Sequence, residues 1–265
     1  MDIKKFPNPK LNLPKELRNS KDEAKNKSFN AVDCYVSMVG KYIYTEIDLN
    51  YEASDPMKVH AWIQRIVSSL VLRSLYLRNE FVETINSENA VALYLPLRAW
   101  FEVTGALAYI LEILEKKLSP EDLSEEMKPF ALGNKYKGKL KVGSVEVKNV
   151  LTMIEKGNRY LDNMKKESKA RERENEVETF FTDYYDTASN ASHPSFDAHE
   201  IIGSLEKNGI WCAKETGRIK NVIVTDLPGY GGLLMAPLFI ANICEKIFEL
   251  EKDNFAKVKS KKYFN

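Results

Sequence analysis

The stretch Leu97–Leu114, LRAWFEVTGALAYILEIL, decides the fold because from Val103 onward it is apolar on nearly every side. A surface helix carries one apolar stripe, whereas a helix that is apolar all round lies buried among other helices. We therefore predict the central helix of a bundle here, within a helix running from about residue 87 to about residue 117. Pro96 should kink or restart it, because proline lacks an N–H and clashes with the preceding turn.

The flanking sequence predicts an all-α helical bundle of about five main helices. Asp55-Pro56 is a typical helix start, since aspartate caps free N–H groups and proline needs no donor. A small β-like hairpin is expected in the C-terminal third, from residues 210–212 and 219–225. The other predicted helices span Ser28–Tyr44, residues 55–85, a short one at 119–130, Val147–Ser192 (one helix, or two joined by the charged run 165–176) and residues 233–257.

The predicted organisation is one domain. Residues 1–27 contain three prolines among polar residues and are expected to form an N-terminal arm. Residues 28–258 form a single helical domain, in which 119–147 is a connecting segment with a basic loop and 196–232 is irregular. Residues 259–265 are expected to be a frayed basic tail.

Composition narrows the possible environment. Thirty-nine basic residues oppose 38 acidic ones, so net charge by itself indicates no particular partner. Three widely separated cysteines favour a reducing cytoplasm over a disulfide framework. Charges interrupt the most apolar segments, which indicates buried helices and no membrane association. No metal or cofactor motif is evident, and His60 and His199 are interpreted as surface residues.

A first candidate site lies in Tyr184–Ser195, YYDTASNASHPS. Tyr185, Ser189 and His193 recur every four residues, so a helix places them on one face. Imidazole is suited to proton transfer near neutral pH, and a hydroxyl can orient it. The alternative is structural: His193 interacts with the last carbonyls of a helix that Pro194 terminates.

A second candidate is the pair Arg98 and Glu102, which are also four residues apart and are surrounded by apolar residues. We expect both charges to be shielded from water, so each needs a partner. The pair is either a structural ion pair or an arginine held by its carboxylate for presentation to a phosphate. If the two helices are antiparallel neighbours, Arg98 and Glu102 could meet the Tyr185 face in one pocket.

A third candidate is the basic loop, where four lysines alternate along an extended segment and would share one side of it. This loop is either solvated or a flap that contacts phosphates. The lysines are Lys135, Lys137, Lys139 and Lys141.

The R-x-x-x-E pair of Arg98 and Glu102, followed by S-x-x-x-H-P-S from Ser189, resembles a bacterial domain-of-unknown-function family that looks HEPN-like. The resemblance covers about residues 70–195. It implies a helical fold, a homodimer whose site lies at the dimer interface, and a role in phage defence or as an RNA-cleaving toxin. HEPN ribonucleases carry an arginine shortly before the histidine, whereas DTASNAS here contains none. Arg98 would then supply the charge from a neighbouring helix.

The leading interpretation is a cytoplasmic HEPN-like protein of a bacterial defence or toxin system, possessing metal-independent ribonuclease activity without a cofactor. His193 would be the acid/base, Arg98 would bind phosphate, Glu102 would orient Arg98, and Ser189 and Tyr185 would supply hydrogen bonds. RNA, a second copy and a partner protein of the same system are the expected partners. The alternatives are a non-catalytic scaffold or ligand-binding module with a buried polar network and, more distantly, a serine hydrolase with Asp186 or Asp197 orienting the histidine.

Overall fold

The computed structural model describes residues 7–12, 23–52, 54–132, 149–168, 180–192, 203–205, 210–213 and 236–262. Helices account for 75% of the interpretable residues, which confirms the all-α class and the small hairpin. The α-helices are α1 (Glu23–Val39), α2 (Met57–Asn86), α3 (Tyr94–Glu115), α4 (Pro120–Leu132), α5 (Val150–Ser168), α6 (Phe180–Ser192), α7 (Ala236–Leu250) and α8 (Lys252–Phe255). The strands are β1 (Tyr44–Ile47), β2 (Gly203–Leu205), β3 (Trp211–Ala213) and β4 (Ser260–Lys262).

Helix α3 is the centre of the bundle, as its composition predicts. It packs against α2, α5, α6 and α7, and more lightly against α4. Its core side chains are almost completely removed from solvent, among them Trp100, Leu107, Ile110 and Ile113. Because α3 contacts neighbouring helices on several sides, its apolar residues are spread around the helix and do not form a single stripe.

Pro96 restarts the chain as a helix rather than kinking one. A 3-10 turn at Ala90–Ala92 precedes α3, and Pro96 is the third residue of the new helix. A proline is tolerated in the first turn because the N–H groups there have no intrahelical acceptor. The helix therefore begins at Tyr94, later than the predicted start near residue 87.

The segment predicted at Val147–Ser192 contains two helices, α5 and α6, which lie side by side. The Asn158 side-chain amide donates to the Thr182 hydroxyl across their contact, at 2.7 Å. Two successive helices were one of the two arrangements that the sequence allows. The charged run between them lies mostly outside the described residues.

Both β-ribbons contain strand pairings that the sequence did not indicate. Strand β3 overlaps the predicted run 210–212 and pairs antiparallel with β2, which precedes it, while residues 219–225 lie outside the described residues. Strand β4 pairs antiparallel with β1, so residues 260–262 are not a frayed tail. The pairing of β1 with β4 joins main-chain groups far apart in sequence, and residue types report such pairings poorly. Helix α1 also begins earlier than predicted, at Glu23.

Helices α3 and α5 approach each other closely at Gly105. A Cβ atom added there would lie 2.6 Å from the Met153 carbonyl oxygen and 2.8 Å from its carbon. Both atoms belong to the backbone, so no side-chain rotation could relieve the overlap. Gly105 thus sets the distance between α3 and α5.

Gly105→Ala should therefore lower the free energy of unfolding by about 1–3 kcal/mol, the usual cost of overpacking. A loss of stability would identify the close contact as the cause, because Gly→Ala at an unobstructed helix position stabilises a protein by about 1 kcal/mol. Urea denaturation followed by circular dichroism measures the difference. A variant as stable as the wild type would show that α3 and α5 do not approach this closely.

Candidate functional site

Arg98 lies on the margin of α3 that faces α6. Its neighbours Leu97 and Trp100 turn into the core, whereas the side chains of Arg98 and Glu102 remain 25% and 24% exposed. The expectation that both charges are shielded from water is therefore wrong. The physical reason is helical geometry, since successive residues differ by about 100° and only one flank of α3 reaches solvent.

The guanidinium of Arg98 is held from two helices. Within α3, its Nε lies 3.4 Å from Oε1 of Glu102. Across the interface with α6, its Nη2 donates to the Tyr185 hydroxyl at 3.3 Å. The guanidinium carbon also lies 5.4 Å from the centre of the Tyr185 ring, within the range of a cation–π contact.

Helix α6 presents Tyr185 because its inner face packs on α3. Tyr185 is 7% exposed and Ala188 is completely buried. Ser189 follows one turn after Tyr185 and is half-buried. The structure thus brings the two candidate stretches together at Arg98 and Tyr185, while His193 lies outside the described residues.

Chemically, this arrangement suits recognition of a planar or tetrahedral anion. Glu102 and Tyr185 restrict the orientation of the guanidinium, while a quarter of the Arg98 side chain remains accessible. An arginine oriented in this way binds phosphate oxygens through paired, charge-assisted hydrogen bonds. We refer to Arg98, Glu102, Tyr185 and Ser189 as the Arg98 cluster.

Several predicted residues lie outside the described part of the chain. His193 follows directly after the end of α6, and His199 lies in the same undescribed segment. The four lysines of the basic loop, Lys135, Lys137, Lys139 and Lys141, fall in another such segment. The roles of these residues stay predictions.

His60 forms a second polar site that the sequence did not indicate. Its Nδ1 lies 2.6 Å from Oε2 of Glu251, and the two side chains are 12% and 7% exposed. The Asn254 amide donates to the same carboxylate oxygen at 3.3 Å. The pair joins the beginning of α2 to the junction of α7 and α8, so the interpretation of His60 as a plain surface residue is wrong.

Among the described residues, no three His, Cys, Asp or Glu side chains converge as a metal site would require. Within the same ranges, no helix has both the length and the hydropathy needed to cross a membrane. Comparisons of the chain with protein-family models, with curated proteins and with solved structures found no match. Function must therefore be argued from the site itself.

A double-mutant cycle of Arg98→Ala and Tyr185→Phe tests the contact between α3 and α6. We expect a coupling free energy of about 0.5–1 kcal/mol, because one charge-assisted hydrogen bond is removed at a partly exposed position. Urea unfolding of the four chains supplies the values. Lys261→Ala combined with Tyr185→Phe is the control, since Lys261 pairs with Glu46 on the β1–β4 ribbon. Coupling no larger than in the control would exclude the contact.

His60→Ala should destabilise the chain by about 3 kcal/mol, because it leaves the Glu251 carboxylate buried without its main partner. Adding Glu251→Gln replaces the carboxylate that has lost its partner with a neutral amide, and it should recover at least half of the lost stability. Thermal and urea unfolding measure both steps. Lys128→Ala, which breaks an exposed pair with Glu125, should change stability by less than about 1 kcal/mol. Equal losses of stability in His60→Ala and in the double variant would show that loss of a partner for the Glu251 carboxylate is not the cause.

Proposed function

We propose that the chain is a HEPN-like protein of a bacterial defence or toxin system that binds RNA at the Arg98 cluster and cleaves it without a metal. The observation that carries the proposal is the hydrogen bond between Arg98 and Tyr185, which unites the two candidate stretches. The Arg98 side chain is partly exposed and is oriented by Glu102 and Tyr185, which supports a phosphate-binding role.

In the proposed reaction, Arg98 binds the non-bridging oxygens of a phosphodiester, and Glu102 keeps the guanidinium in place. The imidazole of His193 accepts the proton of the ribose 2′-hydroxyl, and that oxygen attacks phosphorus. The bond from phosphorus to the 5′-oxygen breaks, and the imidazolium returns its proton to the leaving oxygen. The products are a 2′,3′-cyclic phosphate and a 5′-hydroxyl, and the proposed reaction uses neither a metal nor an oxidant. Tyr185 and Ser189 supply hydrogen bonds to the phosphate.

The proposal includes a homodimer in the cytoplasm, with RNA as substrate. Leu95 and Val91 support an interface beside the cluster, because both are more than half exposed. Leu95 lies one turn before Arg98 on α3, and Val91 lies in the 3-10 turn that precedes this helix. The four lysines of the basic loop would add contacts to the phosphate backbone.

The competing function is a non-catalytic scaffold or ligand-binding module. Its supporting observation is that the Arg98 guanidinium already has an acidic partner in Glu102, as a structural ion pair would. Under this alternative, Arg98 and Tyr185 hold α6 on α3, and substitutions change stability without affecting any reaction.

Cleavage of end-labelled RNA in the presence of a chelator distinguishes the two functions. The wild type should cleave, and His193→Ala should cleave at least about a hundredfold more slowly, because general acid–base catalysis is removed. Arg98→Ala should weaken RNA binding, measured by fluorescence anisotropy, as well as cleavage. RNA with a 2′-deoxy nucleotide at the cleaved position should resist cleavage.

Lys261→Ala is the matched control, because it removes an exposed cation on the distant β1–β4 ribbon. Its cleavage rate should equal that of the wild type. If the wild type neither binds nor cleaves RNA, while Arg98→Ala lowers the melting temperature, the scaffold function replaces the proposed one.

A further inference from the structure

Residues 7–12, PNPKLN, lie against α1 and α2 and are held through their main chain. The Asn79 amide donates to the Pro7 carbonyl oxygen. The N–H of Leu11 donates to Oδ1 of Asp33 at 3.0 Å. Asn86 binds the segment twice: it accepts from the N–H of Asn12 at 2.8 Å and donates to the Lys10 carbonyl at 2.9 Å.

The spacing of the two asparagines suits an extended chain. Asn79 and Asn86 are separated by two helical turns, or about 10.5 Å of rise along α2. An extended segment covers about 10 Å in three residues, which is the separation of the two bound carbonyls, Pro7 and Lys10. Asn86 uses one donor and one acceptor toward groups two residues apart, as a neighbouring strand does in peptide recognition.

Two of the side chains that bind the segment, Asn79 and Asp33, are themselves contacted by Arg78, whose side chain is 1% exposed. Its Nη1 donates to the Asn79 side-chain oxygen at 3.0 Å, and its Nη2 lies 3.4 Å from Oδ1 of Asp33. Its Nε donates to the Val32 carbonyl at 2.9 Å, which anchors the guanidinium to α1. We call Asp33, Asn79 and Asn86, with Arg78 behind them, the asparagine groove.

The segment contributes little besides its main chain. Leu11 packs on the margin of the core, whereas Pro7, Asn8, Lys10 and Asn12 are exposed. By contrast, the groove side supplies buried side-chain groups: Asn79 is 8% exposed with the segment in place, and its amide uses the Pro7 carbonyl oxygen as acceptor.

We propose that the asparagine groove is a binding site for an extended peptide, whose ligand is segment 7–12 and which accepts this segment from a second copy of the chain. The segment of another copy makes the same hydrogen bonds and the same Leu11 contact. When the segment of a second copy replaces the chain's own segment, only the covalent link between segment and groove is lost. Exchange of an identical segment between two copies is therefore a low-cost route to a dimer. The proposal uses no residue of the Arg98 cluster and is independent of the proposed function.

Two complementary full-length variants test it. Asn12→Pro keeps the groove but removes an N–H donor from the segment. Asn86→Ala keeps the segment but removes two of the hydrogen bonds that hold it. Each should weaken docking of a chain's own segment about tenfold or more, the effect of losing one net hydrogen bond. Mixed together, the intact segment of one should dock in the intact groove of the other.

The mixture is observed with ¹⁵N-labelled Asn12→Pro and unlabelled Asn86→Ala at about 1 mM, comparable with the effective concentration of a tethered segment. The Asn79 and Asn86 side-chain amide signals of the labelled chain should move toward their wild-type positions on mixing. Translational diffusion should slow to that of a 1:1 complex. Unlabelled chain carrying both substitutions is the matched control and should cause neither change.

Unchanged amide signals in the mixture would overturn the proposal, since the groove would then accept only the tethered segment. Wild-type signals in Asn12→Pro alone would also overturn it, because the segment would then dock without its main-chain donor. Melting curves verify that both variants are folded. If Asn12→Pro is not folded, Leu11→Pro replaces it, because it removes the N–H that donates to Asp33.

Discussion

The burial of α3 on several sides is the constraint on which the rest of the structure depends. A helix that is apolar around most of its circumference must be covered by several neighbours, and α2, α5, α6 and α7 cover it. Gly105 allows α5 to lie directly on its backbone. Close packing of this kind contributes hydrophobic and dispersion energy along the whole length of α3.

That constraint also explains where polar chemistry can exist in this bundle. Arg98 and Glu102 occupy the one flank of α3 that reaches solvent, at the junction with α6. There, Tyr185 of α6 can contact the Arg98 guanidinium without the full desolvation cost of a buried charge. Arg78 on α2 is different: it is buried, and a main-chain carbonyl, an asparagine and an aspartate surround its guanidinium.

Residue patterns predicted some elements of this structure and not others. The central helix followed from the apolar run of Leu97–Leu114, because composition around the helical circumference reports burial directly. The convergence of Arg98 with the face of Tyr185, Ser189 and His193 was a hypothesis based on two separate four-residue spacings. The structure shows the contact of Arg98 with Tyr185, and the position of His193 stays a prediction. The strand at residues 210–212 was predicted, whereas its pairing with β2 was not, because three-residue strands carry too little alternation to specify their register.

The sequence by itself determined the helical class, the identity of the central helix and the faces on which the candidate side chains lie. These are local properties, since each depends on residues within a few turns of one another. Only the tertiary structure decided that His60 meets Glu251, that β1 meets β4, and that residues 7–12 lie in a groove between α1 and α2. Each of these contacts joins atoms from distant parts of the chain, and such contacts depend on how whole helices pack and leave no periodic trace in the sequence.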